Sequence, residues 1–251
     1  MRQTLLCFLV LLMCLAGCTP QKSRYVIGIS QCSEDIWRDK QNAELRMGAY
    51  IQGDVELRFA SAYDSDERQI QQIDSLVATG IDLLIVAPNQ VATISPAIDR
   101  AYDKGIPVIV FERKTNSKKY TAFISADNYE MGHVMGEHIA SQLKGQGRVL
   151  EIMGLKGSSP AIDRHKGFAD ALSQYPGIQL VATLQGDWTE ESAYEATKQW
   201  LDSLQPSAAN QQPIDFVFAQ NDRMAMGARK AAANSKLYTL NSTLYCGIDG
   251  L

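Results

Sequence analysis

The stretch from residue 81 to residue 114, IDLLIVAPNQVATISPAIDRAYDKGIPVIVFERK, decides the fold. Ile81 to Ala87 is short, almost wholly apolar and rich in branched side chains, as a parallel strand buried on both faces is. Pro88-Asn89-Gln90 breaks that run, and a helix-length amphipathic segment follows from about Ile94 to Lys104, stopped by Gly105. Pro107 to Phe111 is a second buried strand. Two such strands joined by a helix make a parallel crossover unit, with Glu112-Arg113-Lys114 standing just past the carboxyl end of the second.

The same alternation runs outward in both directions. Upstream lie a strand at Tyr25 to Ser30, a helix at Trp37 to Gln52, a strand at Val55 to Ser61 and a helix at about Asp66 to Thr79. That last helix carries Ile70, Ile73, Leu76 and Val77 on one face, with Gly80 as its stop. After Thr121 to Ser125 the pattern restarts with a helix at Tyr129 to Leu143, a strand at Arg148 to Met153 and a helix at Pro160 to Ser173. It continues with a strand at Ile178 to Leu184, a helix at Glu190 to Leu204, a strand at Asp215 to Ala219, a helix at Arg223 to Ala233 and a strand near Leu244 to Gly247. So many crossover units predict an α/β chain with two open, doubly wound parallel sheets, residues 24–125 and 126–251, bordering near 122 to 128. A single closed eight-fold barrel is the architectural rival. Ser203 to Pro213, rich in Gln, Asn, Ser, Ala and Pro, reads as a solvated loop.

At 45% apolar and 21% charged over 251 residues, the composition is globular. A net charge of -4 without long Lys/Arg runs gives no attraction to a phosphate backbone, so nucleic acid is a poor partner. Met1-Arg2 precede a mostly apolar run, Leu5 to Ala16, too short to span a bilayer comfortably; residues 1–17 read as an export signal. Its ending, Leu15-Ala16-Gly17-Cys18, resembles a bacterial lipobox, with a plain cleaved signal or an uncleaved anchor as the alternatives. Only Cys32 and Cys246 belong to the exported body, as free thiols or as a bridge that sequence cannot establish.

In open parallel sheets, ligands bind outside the carboxyl ends of the strands. The residues there are Ser30 to Arg38, Pro88-Asn89-Gln90, Glu112-Arg113-Lys114, Gly154 to Ser159, Gln185 to Trp188, Gln220 to Arg223 and Ile248-Asp249. Trp37 and Trp188 fall at comparable edges of the two halves, each beside carboxylates. Aromatic faces with Asp, Asn and Arg nearby suit a sugar ring, whose C–H faces stack and whose hydroxyls both donate and accept. The plainer reading makes both indoles core residues at helix starts. Arg113 at a buried strand end can hold two ligand oxygens, or form a surface pair with Glu112. Asp222 is the expected N-cap of its helix, leaving Asn221 freer to face the cleft. Glu34, Arg38 and Asp39 read as solvated. Gly154 to Ser159 lacks the phosphate-loop spacing, and His133, His138 and His165 have no metal spacing. No catalytic motif stands out, so neither a cofactor nor a metal is expected, and an exported carbohydrate hydrolase is the rival class.

The run GISQCSEDIWRDK, the strand end PVIVFERK, the segment SADNYEMGHVMGEHIA, the loop GLKGSSPAIDRHKGF, and the pieces AQNDRMAMGA and CGIDG resemble, in order, the periplasmic sugar-binding proteins related to ribose-binding protein. They resemble more closely the extracytoplasmic sensor domains of the hybrid two-component regulators of gut Bacteroides. The resemblance covers about residues 24 to 251. It implies a type I periplasmic binding fold: two flavodoxin-like lobes joined by hinge strands, closing on one sugar without catalysing its reaction. By position it implies Ser30, Asp35, Ile36 and Trp37 as one wall, Glu112 and Arg113 on ring hydroxyls, and Trp188, Asn221 and Asp249 from the second lobe, with Asp127 of the SADNYEMGH segment among the ligand residues.

Three departures make ribose doubtful. Ala87 replaces the family's Asn, with Asn89 nearby as the expected substitute; Ile162 stands where ribose binders carry Arg, with Arg164 expected to fix its helix; and Glu112 replaces the commoner Asp. The resemblance further implies a partner, either a sensor kinase or a permease, with membrane anchoring by lipid or a downstream span. Relatives continue past the GIDG motif to complete the first lobe, so the sequence is expected to be part of a longer chain.

Overall fold

The computed structural model describes residues 25–204, 213–235 and 243–249. The export signal, Cys18, most of the 203–213 loop and the end at Leu251 lie outside the described residues. Among those described, sixteen elements alternate as expected. The first half contains β1 (Tyr25–Gln31), α1 (Ile36–Gln52), β2 (Val55–Ser61), α2 (Asp66–Ala78), β3 (Leu83–Val86), α3 (Val91–Asp103), β4 (Val108–Phe111) and β5 (Ala122–Ile124). The second contains α4 (Asn128–Gln142), β6 (Gln146–Met153), α5 (Ser159–Leu172), β7 (Gly177–Gln185), α6 (Glu190–Ser203), β8 (Phe216–Ala219), α7 (Asp222–Ala233) and β9 (Leu244–Cys246).

The strands form two separate, all-parallel sheets, ordered β2-β1-β3-β4-β5 and β7-β6-β8-β9, which excludes the closed barrel. Both share one winding, in which the chain first moves outward and then reverses across its first strand. The reversal opens a crevice at the carboxyl ends of β1 and β3 in one lobe and of β6 and β8 in the other. Within the segment 122 to 128 read as the border, Ala122–Ile124 supplies β5 at the edge of the first sheet, and the next helix, α4, begins at Asn128.

Burial follows the apolar pattern. Ile73, Leu76, Leu84, Val86, Ile94, Ile98, Val108 and Val110 join α2 and α3 to the first sheet. The second sheet is covered on both faces, by α6 and α7 around Ile152, Val217 and Met224 and by α4 and α5 around Ile139, Phe168 and Phe218. Burial on the order of 1.5–3 kcal/mol for each such side chain is the main source of stability. The α1 face of the first sheet is different: Ile27, Leu57, Ile85 and Phe111 line an apolar groove of about 570 Å³ beside α1. No helix of the described residues is long and apolar enough to cross a membrane.

Candidate functional site

A cleft of about 460 Å³ lies between the lobes, lined by residues 33–38, Asp64, Glu112, Arg113, Asn128, Arg164, Asp187, Trp188, Asn221 and Asp249 among others. Its first wall is set by the start of α1. Asp35 is the N-cap, accepting from the Arg38 N–H at 3.0 Å and from the Ser33 hydroxyl at 2.9 Å. The cap fixes Ile36, Trp37 and Arg38 in the first turn. Trp37 stands 6.5 Å from the Phe111 ring, and these two aromatics separate the cleft from the apolar groove.

Arg38 is not solvated: only 2% exposed, it donates to Glu112 Oε2 at 2.5 Å, Gln41 Oε1 at 2.7 Å and the Cys32 sulfur at 3.0 Å. Burial alone pulls this guanidinium down, but the charges of Glu112, Cys32 and Asp35 outweigh it and raise its pKa above the ordinary arginine value. Burial likewise works upward on Glu112, and Arg38 and Arg113 overcome it, holding the carboxylate below its usual range. Glu112 has a left-handed backbone (φ 63°), a costly conformation for a side chain with a Cβ. The turn is locked by Glu112 N–H to Ile124 O at 2.7 Å and Ser125 Oγ to Glu112 O at 2.7 Å. It turns the end of β4 so that its carboxylate reaches Arg38.

Arg113 is buried and donates through Nη1 to Asn89 O at 3.0 Å, while its Nε has no hydrogen-bond partner among the described residues. That Nε lies 3.6 Å from Glu112 Oε1, an ion pair that ties the two side chains together in the wall of the cleft. Asn89 itself lies behind the cleft, bound to Asp64 O at 3.0 Å and Asp66 Oδ1 at 2.8 Å, so it supports Arg113 instead of lining the wall. Ser30 is also buried below the lining, its hydroxyl accepting from Gln69 at 3.3 Å. Asp127 is exposed and spends its carboxylate on capping α4, accepting from the Glu130 N–H at 3.0 Å.

In the second lobe Trp188 follows Asp187, and both have left-handed backbones (φ 68° and 49°). The indole lies against Gly154, where a Cβ would come within 2.2 Å of the ring. Gly154 is needed for this close approach, and its N–H is taken by Gln220 Oε1 at 3.0 Å, so that amide is unavailable for a phosphate. Asn221, not Asp222, is the N-cap of α7: its Oδ1 accepts from Met224 N–H at 2.9 Å and its amide donates to Trp188 O at 3.1 Å. It reaches the cleft as the residue that fixes Trp188.

Arg164 does more than fix a helix. It donates to Asn128 Oδ1 at 2.9 Å and to Gln220 O, and its guanidinium lies 5.6 Å from the Trp188 ring centre while facing the cleft. Burial lowers its pKa, against the opposing charges of Asp249 and Glu112. Asp249 lines the cleft, and burial raises its carboxyl with Arg164 opposing. Asp64 is pushed upward by burial, eased by Arg113 and raised further by Asp35 and Asp187. Sequence reasoning missed Arg38, Asp64, Asn128 and Arg164 as cleft residues. The only signal for Arg38 was its place beside Trp37.

The lobes also touch directly. Lys114 N–H donates to Ser159 Oγ at 2.7 Å, its ammonium pairs with Asp163 at 2.6 Å, and Val91 N–H meets Gly157 O at 3.3 Å. Cys32 and Cys246 are free.

Two doubly wound lobes closing over a cleft of arginines, carboxylates and tryptophans define a two-lobed solute-binding clamp. The chain belongs to the periplasmic binding protein domain family, whose model matches residues 27–250. It is 31% identical over 230 residues to the galactofuranose-binding protein YtfQ of Escherichia coli K12, covering 90% of this chain and 71% of that protein. Among solved structures, the fructose-binding periplasmic domain of a hybrid two-component system is 40% identical with a TM-score of 0.83, over 91% of this chain and 73% of that one. The binding component of the arabinose ABC transporter of Shewanella sp. ANA-3, bound to L-arabinofuranose, is 29% identical with a TM-score of 0.81, over 90% and 74%. The chain spans little more than half the length of other curated relatives.

Proposed function

We propose that this chain binds one sugar in the inter-lobe cleft, does no chemistry on it, and signals its presence by closing. The carrying observation is the convergence of Trp37, Arg38, Glu112 and Arg113 from one lobe with Arg164, Trp188 and Asp249 from the other. Guanidinium and carboxylate groups already fixed by protein partners offer donors and acceptors to hydroxyls at low ordering cost, and the indoles offer apolar faces. The cleft volume suits a monosaccharide. The relatives named above bind fructose, galactofuranose and L-arabinofuranose, so furanoses and ketoses head the panel to test.

Closure supports two outputs, input to a sensor kinase or delivery to a permease. We read residues 1–17 as the export signal, with anchoring through lipid at Cys18 or a downstream span, and place the module in the periplasm. Mass spectrometry of the mature N-terminus checks the lipid. For the ligand, titration calorimetry of the purified protein against furanoses, ketoses, pyranoses and polyols is expected to find at least one monosaccharide bound one to one, with binding lost in Arg113→Ala. Absence of binding across the panel, or hydrolysis of a bound saccharide, overturns the reading.

A further inference from the structure

Strand β2 is the outer strand of the first sheet, and among the described residues only β1 pairs with it. Its register fixes which backbone groups face out. Tyr25 N–H donates to Asp54 O at 3.1 Å and Ala62 N–H to Gln31 O at 2.8 Å, so even-numbered positions turn their amides and carbonyls toward β1. Val55, Leu57 and Phe59 therefore present theirs at the free edge, as does Ser61, whose carbonyl accepts from Gln72 at 2.8 Å. An edge of unpaired backbone groups is a template for another strand.

The side chains of this edge are complementary to themselves. Val55, Leu57 and Phe59 share a face, lining a groove of about 540 Å³ with Arg46, Ala49 and Tyr50 of α1. Tyr50 is 83% exposed, with Met47 and Ile51 of the same helix also exposed. Glu56 and Arg58 lie on the other face, paired at 2.7 Å and both partly exposed. An antiparallel pairing centred on Leu57 sets Leu57 against Leu57 of a second copy and Val55 against Phe59, all in hydrogen-bonded positions. It sets Glu56 directly opposite Arg58, twice, in the positions where side chains approach most closely. Sliding the register by two residues either way brings Glu56 against Glu56 or Arg58 against Arg58. Charges on an edge strand often guard it against pairing, but these two disfavour the registers two residues to either side and favour the one centred on Leu57.

We propose that two copies of this chain associate through β2, by a two-fold antiparallel pairing centred on Leu57 that joins their first sheets into one. The contact is isologous, lies away from the cleft and does not rest on the sugar reading. Sedimentation velocity of the purified protein over a concentration series tests it. The expected result is a reversible dimer that Leu57→Pro abolishes, since the missing N–H points to the free edge and the fold tolerates proline there. Glu56→Arg and Arg58→Glu should each weaken association about tenfold or more, and the double charge swap should restore it. Leu57→Cys should give a disulfide-linked dimer on air oxidation, because hydrogen-bonded antiparallel pairs bring Cα atoms to about 5.5 Å. Circular dichroism checks that each variant is folded. A protein that stays monomeric at millimolar concentration overturns the proposal, as does a dimer insensitive to folded Leu57→Pro and not trapped by Leu57→Cys.

Discussion

Glu112 shows how a single side chain is kept charged in the wall of the cleft. Held between Arg38 and Arg113, it keeps its charge in a site where burial opposes ionisation. Glu112→Gln should keep the fold and weaken sugar binding about tenfold or more, read by calorimetry. Arg38→Met leaves that carboxylate without its main partner. Because Glu112 remains 25% exposed, we expect a loss of about 2–3 kcal/mol in urea unfolding, below the 3–5 of a fully buried pair. Residue His165 gives a pH signature. Its imidazole bonds to the buried Glu151 at 2.7 Å, and that bond raises its pKa above 6.5. A raised folded pKa means that the protonated pair stabilises fully below the unfolded value and that this contribution fades as pH rises through the folded one. Melting temperature should therefore fall from about pH 6.5 upward, and His165→Gln should flatten that limb. Of these partnerships only that of Arg113 with its neighbour Glu112 was legible locally: Arg38 between Trp37 and Asp39 reads as a surface residue until the end of β4, 74 positions away, brings Glu112 to it.

At the level of elements, most of the reading held because each helix and strand carries its own punctuation. Gly53 closes α1 in a left-handed cap, and Asp35 and Ser65 cap α1 and α2 by accepting from their first turns. The boundaries moved by up to three residues; α3 starts at Val91 instead of Ile94. The cap of α7 went to Asn221, because the first residue of the turn was mistaken for the one before it. Asp35→Ala should cost about 1 kcal/mol in thermal unfolding and also weaken binding, since the same cap orients Trp37 and Arg38. At the turn after β6, Gly154→Ala should displace Trp188 from the second wall; a changed tryptophan emission together with lost sugar affinity is the expected pair of readings. An unaltered spectrum and affinity would show that the indole is not seated there.

Across the whole molecule, the contacts between lobes outside the cleft bear on how easily it closes. Lys114 and Asp163 hold the lobes together while partly exposed, so their bond is worth at most about 1 kcal/mol. Lys114→Ala should shift the balance toward open forms and raise the dissociation constant up to about fivefold, with X-ray scattering of the sugar-free protein showing a larger radius. The sequence by itself determined the α/β class, the two sheets and the strand ends that carry the cleft, because apolar periodicity and turn chemistry act over a few neighbouring residues. The tertiary structure alone decided which rim residues line the cleft. Ser30, Asn89 and Asp127 turned out to support or cap, while Arg38, Asp64, Asn128 and Arg164 entered the lining. The reason is physical: a side chain's exposure and charge depend on partners brought from distant strands, which no local pattern encodes.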